Sequence, residues 1–131
     1  MSNGRRPSSL KEAQGASLFD LGRTVATPAA LDTADRNGID VSRLILRHWR
    51  GDFGKIGKYQ DATITPEIER DGIFGIPEDA PDHDLLMNRI AIDLEPDSRI
   101  MSVYEEQGAT LWIITDRGEE PVTTVLLPSD Y

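Results

Sequence analysis

A chain of 131 residues and 14.5 kDa is the size of one domain. With 38% apolar and 28% charged residues it can bury a core, which argues against disorder along its whole length. It has no Cys, which excludes disulfide frameworks, thiolate nucleophiles and cysteine-ligated zinc or iron–sulfur centres.

The net charge of −9 is unevenly placed. Residues 1–60 hold 10 basic and 6 acidic side chains, while residues 61–131 hold 4 basic and 17 acidic ones. An acidic protein repels phosphate backbones, so broad nucleic-acid binding is disfavoured. The acidic second half can instead attract the basic surface of a protein partner, or it can serve solubility alone. No run approaches the ~18 apolar residues of a membrane span, and the opening MSNGRRPSSLKEAQG lacks the apolar centre of a signal peptide. The expectation is a cytoplasmic protein with no membrane partner.

Along the chain, residues 1–16 are polar and read as a flexible tail ahead of a single α+β domain over 17–131. Gly22 to Ala26 reads as a short extended segment or loop. Thr27-Pro28 starts a helix, since threonine caps free amides and proline suits the first helical position. Asn37-Gly38 stops it. Asp40 caps a second helix from Val41 to about Trp49, whose stripe is Val41, Leu44, Ile45 and Trp49, with His48 on the same face. Together the two helices form a helical hairpin.

The segment 55–82, broken by Gly57, Pro66, Gly72, Gly75, Pro77 and Pro81, keeps no period. It reads as a long loop or insertion, with Ala62–Ile64 and Ile73-Phe74 as possible edge strands. Asp82 or Asp84 then caps a third helix from Leu85 to about Leu94, with Leu86, Ile90 and Leu94 on one face. The remainder reads as a C-terminal antiparallel meander of three to four strands: Arg99–Glu106, Thr110–Thr115 and Val122–Leu127. The apolar run Leu111–Ile114 expects cover on both faces of the middle strand.

The search for chemistry leaves one constellation. Two histidines and no cysteine do not make a metal template, and Asp82-His83-Asp84 reads better as a helix cap than as a ligand set. No P-loop, GxGxxG or GxSxG occurs, so no cofactor is expected. Glu105-Glu106 and Glu119-Glu120 sit at turns, where carboxylates are ordinarily solvated. There remains His48 to Gly54, which puts an imidazole, Arg50 and Asp52 at one helix end. Asn88, Ser102, Tyr104, Thr115, Thr123 and Thr124 add polar side chains downstream, and Ile100, Ser102 and Tyr104 share one strand face that can line a cleft.

In a metal-free endoribonuclease His48 would act as acid or base and Arg50 would stabilise charge, with Asp52, Asn88, Tyr104 and Thr124 lining the site. The competing reading makes His48 a hydrogen-bonded core residue and Asp52 a turn former. A binding protein would instead present Glu67, Glu69, Asp79 and Asp82 to its basic partner.

Several segments resemble a family of small proteins from plasmids and integrative elements. They are Leu21 to Leu31, Arg47-His48 through Gly51-Asp52-Phe53-Gly54, Arg99 to Tyr104, Leu111 to Thr115, and Thr123 to Tyr131. Together they cover roughly half the chain. The family carries Trp where this chain has Phe53, and joins the GDWG-like turn to the third helix by a short acidic link where residues 55–82 stand here. The resemblance implies a mobile-element setting; members of this length that accompany mobile elements can also be inhibitors of host defence, which work by covering a protein surface. The helix-then-sheet order is also similar to barnase/colicin/RelE-type ribonucleases, an analogy of fold that does not fix function.

Overall fold

A computed structural model describes residues 17–131; the expected tail at 1–16 lies outside the described residues. The elements in chain order are β1 (Arg23–Ala26), α1 (Pro28–Asn37), α2 (Val41–Trp49), α3 (Pro66–Asp71), α4 (His83–Asp93), β2 (Ile100–Glu106), β3 (Ala109–Asp116) and β4 (Val122–Leu126). The fold is α+β, with one four-stranded sheet in the order β1-β4-β3-β2.

The helical hairpin forms where its caps lie. The Thr27 side chain accepts from the Ala30 N–H at 3.1 Å, and Asp40 Oδ1 from the Arg43 N–H at 3.3 Å. Gly38, at φ 67°, ends α1 in the left-handed conformation. Ala30, Ala34, Ile39 and Leu44 then pack on Tyr104, Leu111, Ile113 and Val125 of the sheet. We call this covered side the inner face.

β2, β3 and β4 form the expected antiparallel meander. One strand was only half legible: Arg23–Ala26 joins the sheet as β1 and runs parallel to β4. No local pattern announces it, because three of its four residues are exposed and only the pairing with β4 makes it a strand.

The segment 55–82 departs most from expectation. It is folded, with single turns at Tyr59–Asp61 and Gly72–Gly75 around α3, and neither 62–64 nor 73–74 is a strand. Tyr59, Ala62, Ile68 and Ile76 are buried with Phe53, Leu86, Ile90 and Ile100 in a second core. Arg89 of α4 ties the segment down. Its guanidinium lies 3.9 Å from the centre of the Tyr59 ring and donates to the carbonyls of Tyr59 and Ala62 at 2.9 and 3.2 Å. Asp93 accepts from both Arg89 Nε (2.6 Å) and the Tyr59 hydroxyl (2.7 Å). Each buried isoleucine adds on the order of 2 kcal/mol, so this lobe is integral to the second core.

Wrapping by the lobe changes α4 as well. Seven of its residues from Leu85 to Ile92 are buried, so it is covered nearly all round rather than along one stripe. Leu94, expected on that stripe, is instead exposed past the helix end. Asp82 occupies the N-cap position but its side chain makes no capping bond, and Asp84 lies inside the first turn. Arg117, on the β3–β4 turn, closes the other end by donating to the carbonyls of Ala91, Glu95 and Ser98.

Candidate functional site

The side chains of the expected ribonuclease site do not meet in a cleft. His48 is 0% exposed, enclosed between α2 and the inner sheet face, with the rings of Phe19 and Phe53 edge-on at 5.2 and 6.3 Å. Both ring nitrogens are engaged: Nδ1 lies 2.6 Å from Ser102 Oγ, and Nε2 lies 2.8 Å from Thr115 Oγ1. Thr115 Oγ1 in turn lies 2.7 Å from Thr123 Oγ1, whose hydroxyl donates to the Leu21 carbonyl at 2.7 Å.

Hydrogen counting fixes the directions in this chain. A carbonyl only accepts, so Thr123 spends its one proton on Leu21 and must accept from Thr115. Thr115 therefore accepts from His48 Nε2–H, and Nδ1 is left to accept from Ser102. The imidazole is neutral, and burial pushes its pKa down to about 3. With no nitrogen free and no water access, His48 is the hydrogen-bonded core histidine and offers no acid–base group to a substrate.

The other expected residues fill structural roles too. Arg50 is the exposed C-cap of α2. Asn88 is buried and grips the edge of β2, donating to the Met101 carbonyl at 2.8 Å and accepting from the Met101 N–H at 3.1 Å. The Tyr104 hydroxyl donates to the Asp52 carbonyl at 2.7 Å, and burial pushes that phenol up. Ile100, Ser102 and Tyr104 do share a face, but α2 and the second core cover it. Thr124 lies across the sheet on the opposite, outer face, beside Ile114 and Val25 in register.

Asp52 pairs with Arg47, a residue to which the sequence reading gave no role. Arg47 reaches the two Asp52 oxygens at 2.8 and 3.3 Å and Glu106 at 2.9 Å, while its guanidinium lies 4.7 Å from the centre of the Tyr104 ring. Arg43 also binds Glu106. Burial alone would raise Asp52, but the bonds from Arg47 and the Gly54 N–H hold it below the usual carboxylate value. The hydrogen bond from Asp52 chiefly raises Arg47. The signal for this cluster was the five-residue spacing of Arg47 and Asp52 across a helix end.

The turn Gly51-Asp52-Phe53-Gly54 serves the sheet. Its backbone lies on the outer edge of β2, where the Val103 N–H donates to the Phe53 carbonyl at 3.1 Å and the Lys55 N–H donates to the Val103 carbonyl at 2.8 Å. Gly54 has φ 67°, and a Cβ there would stand 2.0 Å from the Val103 oxygen. Only glycine permits that approach. The turn and Asn88 together protect an edge strand that would otherwise be open to pairing.

An open concavity lies on the outer sheet face. A groove of about 540 Å³ runs between the entrance of α4 and strands β2 and β3. Ile56, Leu85, Val103, Trp112 and Pro128 supply apolar surface, and Lys55, Asp82, Asp84 and Glu105 supply charge. Lys55 and Glu105 are 3.3 Å apart and both largely exposed. Trp112 carries Tyr131 against its ring at 5.6 Å. Strand alternation explains the placement: Val103 and Glu105 point away from Ser102 and Tyr104.

Of the four residues expected to bind a partner, Glu67 and Glu69 lie on α3, and Asp79 and Asp82 lie in the approach to α4. All four are exposed. Among the described residues no group of three His, Asp or Glu is placed to hold a metal ion, and no helix is long and apolar enough to cross a membrane. Comparison with protein-family models, with characterised proteins and with solved structures finds no match for the chain.

Proposed function

We propose that this chain is a non-enzymatic accessory protein that binds a basic surface of another protein through its acidic lobe. The observation that carries this reading is the composition of a folded surface. Residues 61–84 hold eight carboxylates and one arginine, and the segment also presents Phe74 at 88% exposure. A dense, single-sign surface on an ordered scaffold steers an oppositely charged partner and limits wrong ones. An exposed aromatic beside it is the usual form of an interface anchor. The resemblance to proteins of plasmids and integrative elements supports a mobile-element setting, with a host or defence factor as partner in the cytoplasm.

The test is affinity capture from a host-cell extract with the tagged chain, followed by binding measurements on the purified partner. Reversing Glu67, Glu69, Asp79 and Asp82 to lysine is expected to weaken that binding by about a hundredfold, in line with loss of several charge pairs. Arg50→Ala is expected to leave it unchanged. Binding that survives the fourfold reversal, or recovery of nucleic acid alone, overturns the reading.

A further inference from the structure

The groove on the outer sheet face extends the acidic lobe onto a shaped surface. Its volume of about 540 Å³ lies within the range of ligand clefts, roughly 300–1,000 Å³. Its floor is apolar at Val103, Leu85 and Ile56, and the half-buried Trp112 presents an indole beside them. Its rim carries three carboxylates, Asp82, Asp84 and Glu105, against the single ammonium of Lys55. His83 stands 3.6 Å from Asp84 and is exposed with it.

We infer that this groove seats an arginine-bearing segment of the protein partner, with a guanidinium against Trp112 and its donors on the rim carboxylates. The inference rests on the reading that the partner is a basic protein. Carboxylates accept hydrogen bonds and donate none, so the rim requires a donor-rich group. Arginine is the side chain that pairs a planar, stackable cation with fork-like donors and an apolar stem. The stem covers Val103 and Leu85 while the fork reaches Asp82 or Glu105. A phosphate in the same place would meet the three carboxylates.

The two indoles of the chain make the test clean. Trp49 Nε1 donates to the Phe19 carbonyl at 2.9 Å, away from the groove, so its NMR signal is an internal control for that of Trp112. The full chain is titrated with a blocked peptide of alternating arginine and leucine, and separately with one of alternating lysine and serine of equal charge. The expected result is a saturable shift of the Trp112 indole signal with the arginine–leucine peptide and a constant Trp49 signal. Affinity for the lysine–serine peptide is expected to be about tenfold lower. Asp84→Lys with Glu105→Lys, both at exposed sites, is expected to weaken the arginine–leucine peptide by about tenfold, and Glu119→Lys with Glu120→Lys, exposed on the β3–β4 turn, to leave it unchanged.

Equal response to both peptides means general charge attraction and overturns the groove. A Trp112 shift with single-stranded RNA, or concentration-dependent broadening without peptide, overturns the partner class in favour of nucleic acid or a second copy. No shift at Trp112 while the captured partner still binds, and loses binding on reversal of Glu67 and Glu69, refutes the groove and keeps the lobe. Loss of both refutes both.

Discussion

The Thr123 hydroxyl donates to the Leu21 carbonyl across 102 residues of chain, and that one bond sets the tautomer of His48. Counting protons back through Thr115 leaves Nε2 protonated and Nδ1 accepting from Ser102. The network joins α2, β2, β3, β4 and the segment before β1, so it locks the register of the whole inner face. No buried side-chain nitrogen or oxygen among the described residues lacks a partner.

The network makes stability depend on acid in a definite direction. The folded pKa of His48 is lowered to about 3, below the ~6.5 of an unfolded histidine. The unfolded chain therefore binds one more proton between those values. Stability is fully present above about pH 6.5 and falls by about 1.4 kcal/mol per pH unit as pH drops through the window. Chemical denaturation at pH 7, 6 and 5 reads this slope before the lowered carboxylate Asp52 begins to protonate. A midpoint that stays flat over that range would refute the neutral, buried imidazole.

Replacing His48 tests the same network at neutral pH. His48→Ala empties a site of zero exposure, takes the acceptor from Ser102 and leaves Thr115 only its bond to Thr123, and is expected to destabilise by about 3–5 kcal/mol. Arg50→Ala, one turn-end away and exposed, is expected to change stability by less than about 0.5 kcal/mol. Equilibrium unfolding of the two variants separates them. An RNA-cleavage assay is expected to show no His48-dependent activity.

Gly54 and Gly108 both have positive φ, at 67° and 79°, yet only one is crowded. Gly108→Ala meets nothing within 4 Å and is expected to cost about 1 kcal/mol for the left-handed conformation alone. Gly54→Ala drives a methyl into the Val103 carbonyl and is expected to cost more than about 2 kcal/mol. Amide exchange at Val103 and Lys55 should accelerate in the Gly54 variant and stay unchanged in the Gly108 variant. Equal penalties would show that the turn does not seal the β2 edge.

Arg117 offers a similar contrast at the end of α4. Its guanidinium serves three carbonyls at the end of α4, and burial lowers its pKa. Arg117→Met keeps the stem and removes the donors, with an expected loss of about 1–3 kcal/mol. Hydrogen exchange should rise at Leu94 and Glu95, whose N–H groups both donate to the Ile90 carbonyl, ahead of the sheet. Exchange that rises uniformly would mean that α4 and the sheet open together.

Local chemistry alone determined the helical hairpin, α4 and the meander. Thr27, Asp40 and the Asn37-Gly38 stop act within one turn, and strand alternation is a two-residue pattern. Charge asymmetry was legible for the same reason, since it needs no contacts. Tertiary structure decided the rest. β1 exists because β4 pairs with it, and the lobe at 55–82 folds because Arg89 and the second core hold single turns that carry no period. His48 illustrates the limit most directly. Its place on the α2 stripe was visible, but its chemistry depended on Ser102, Thr115 and Thr123, which lie 54 to 75 residues away and reach it only once the sheet has formed. The groove follows the same rule: alternation set Ser102 and Tyr104 on one face of β2 and the apolar run Leu111–Ile114 expected cover on both faces of β3, but only the pairing of Val103 with Trp112 and the packing around them left the outer face open there.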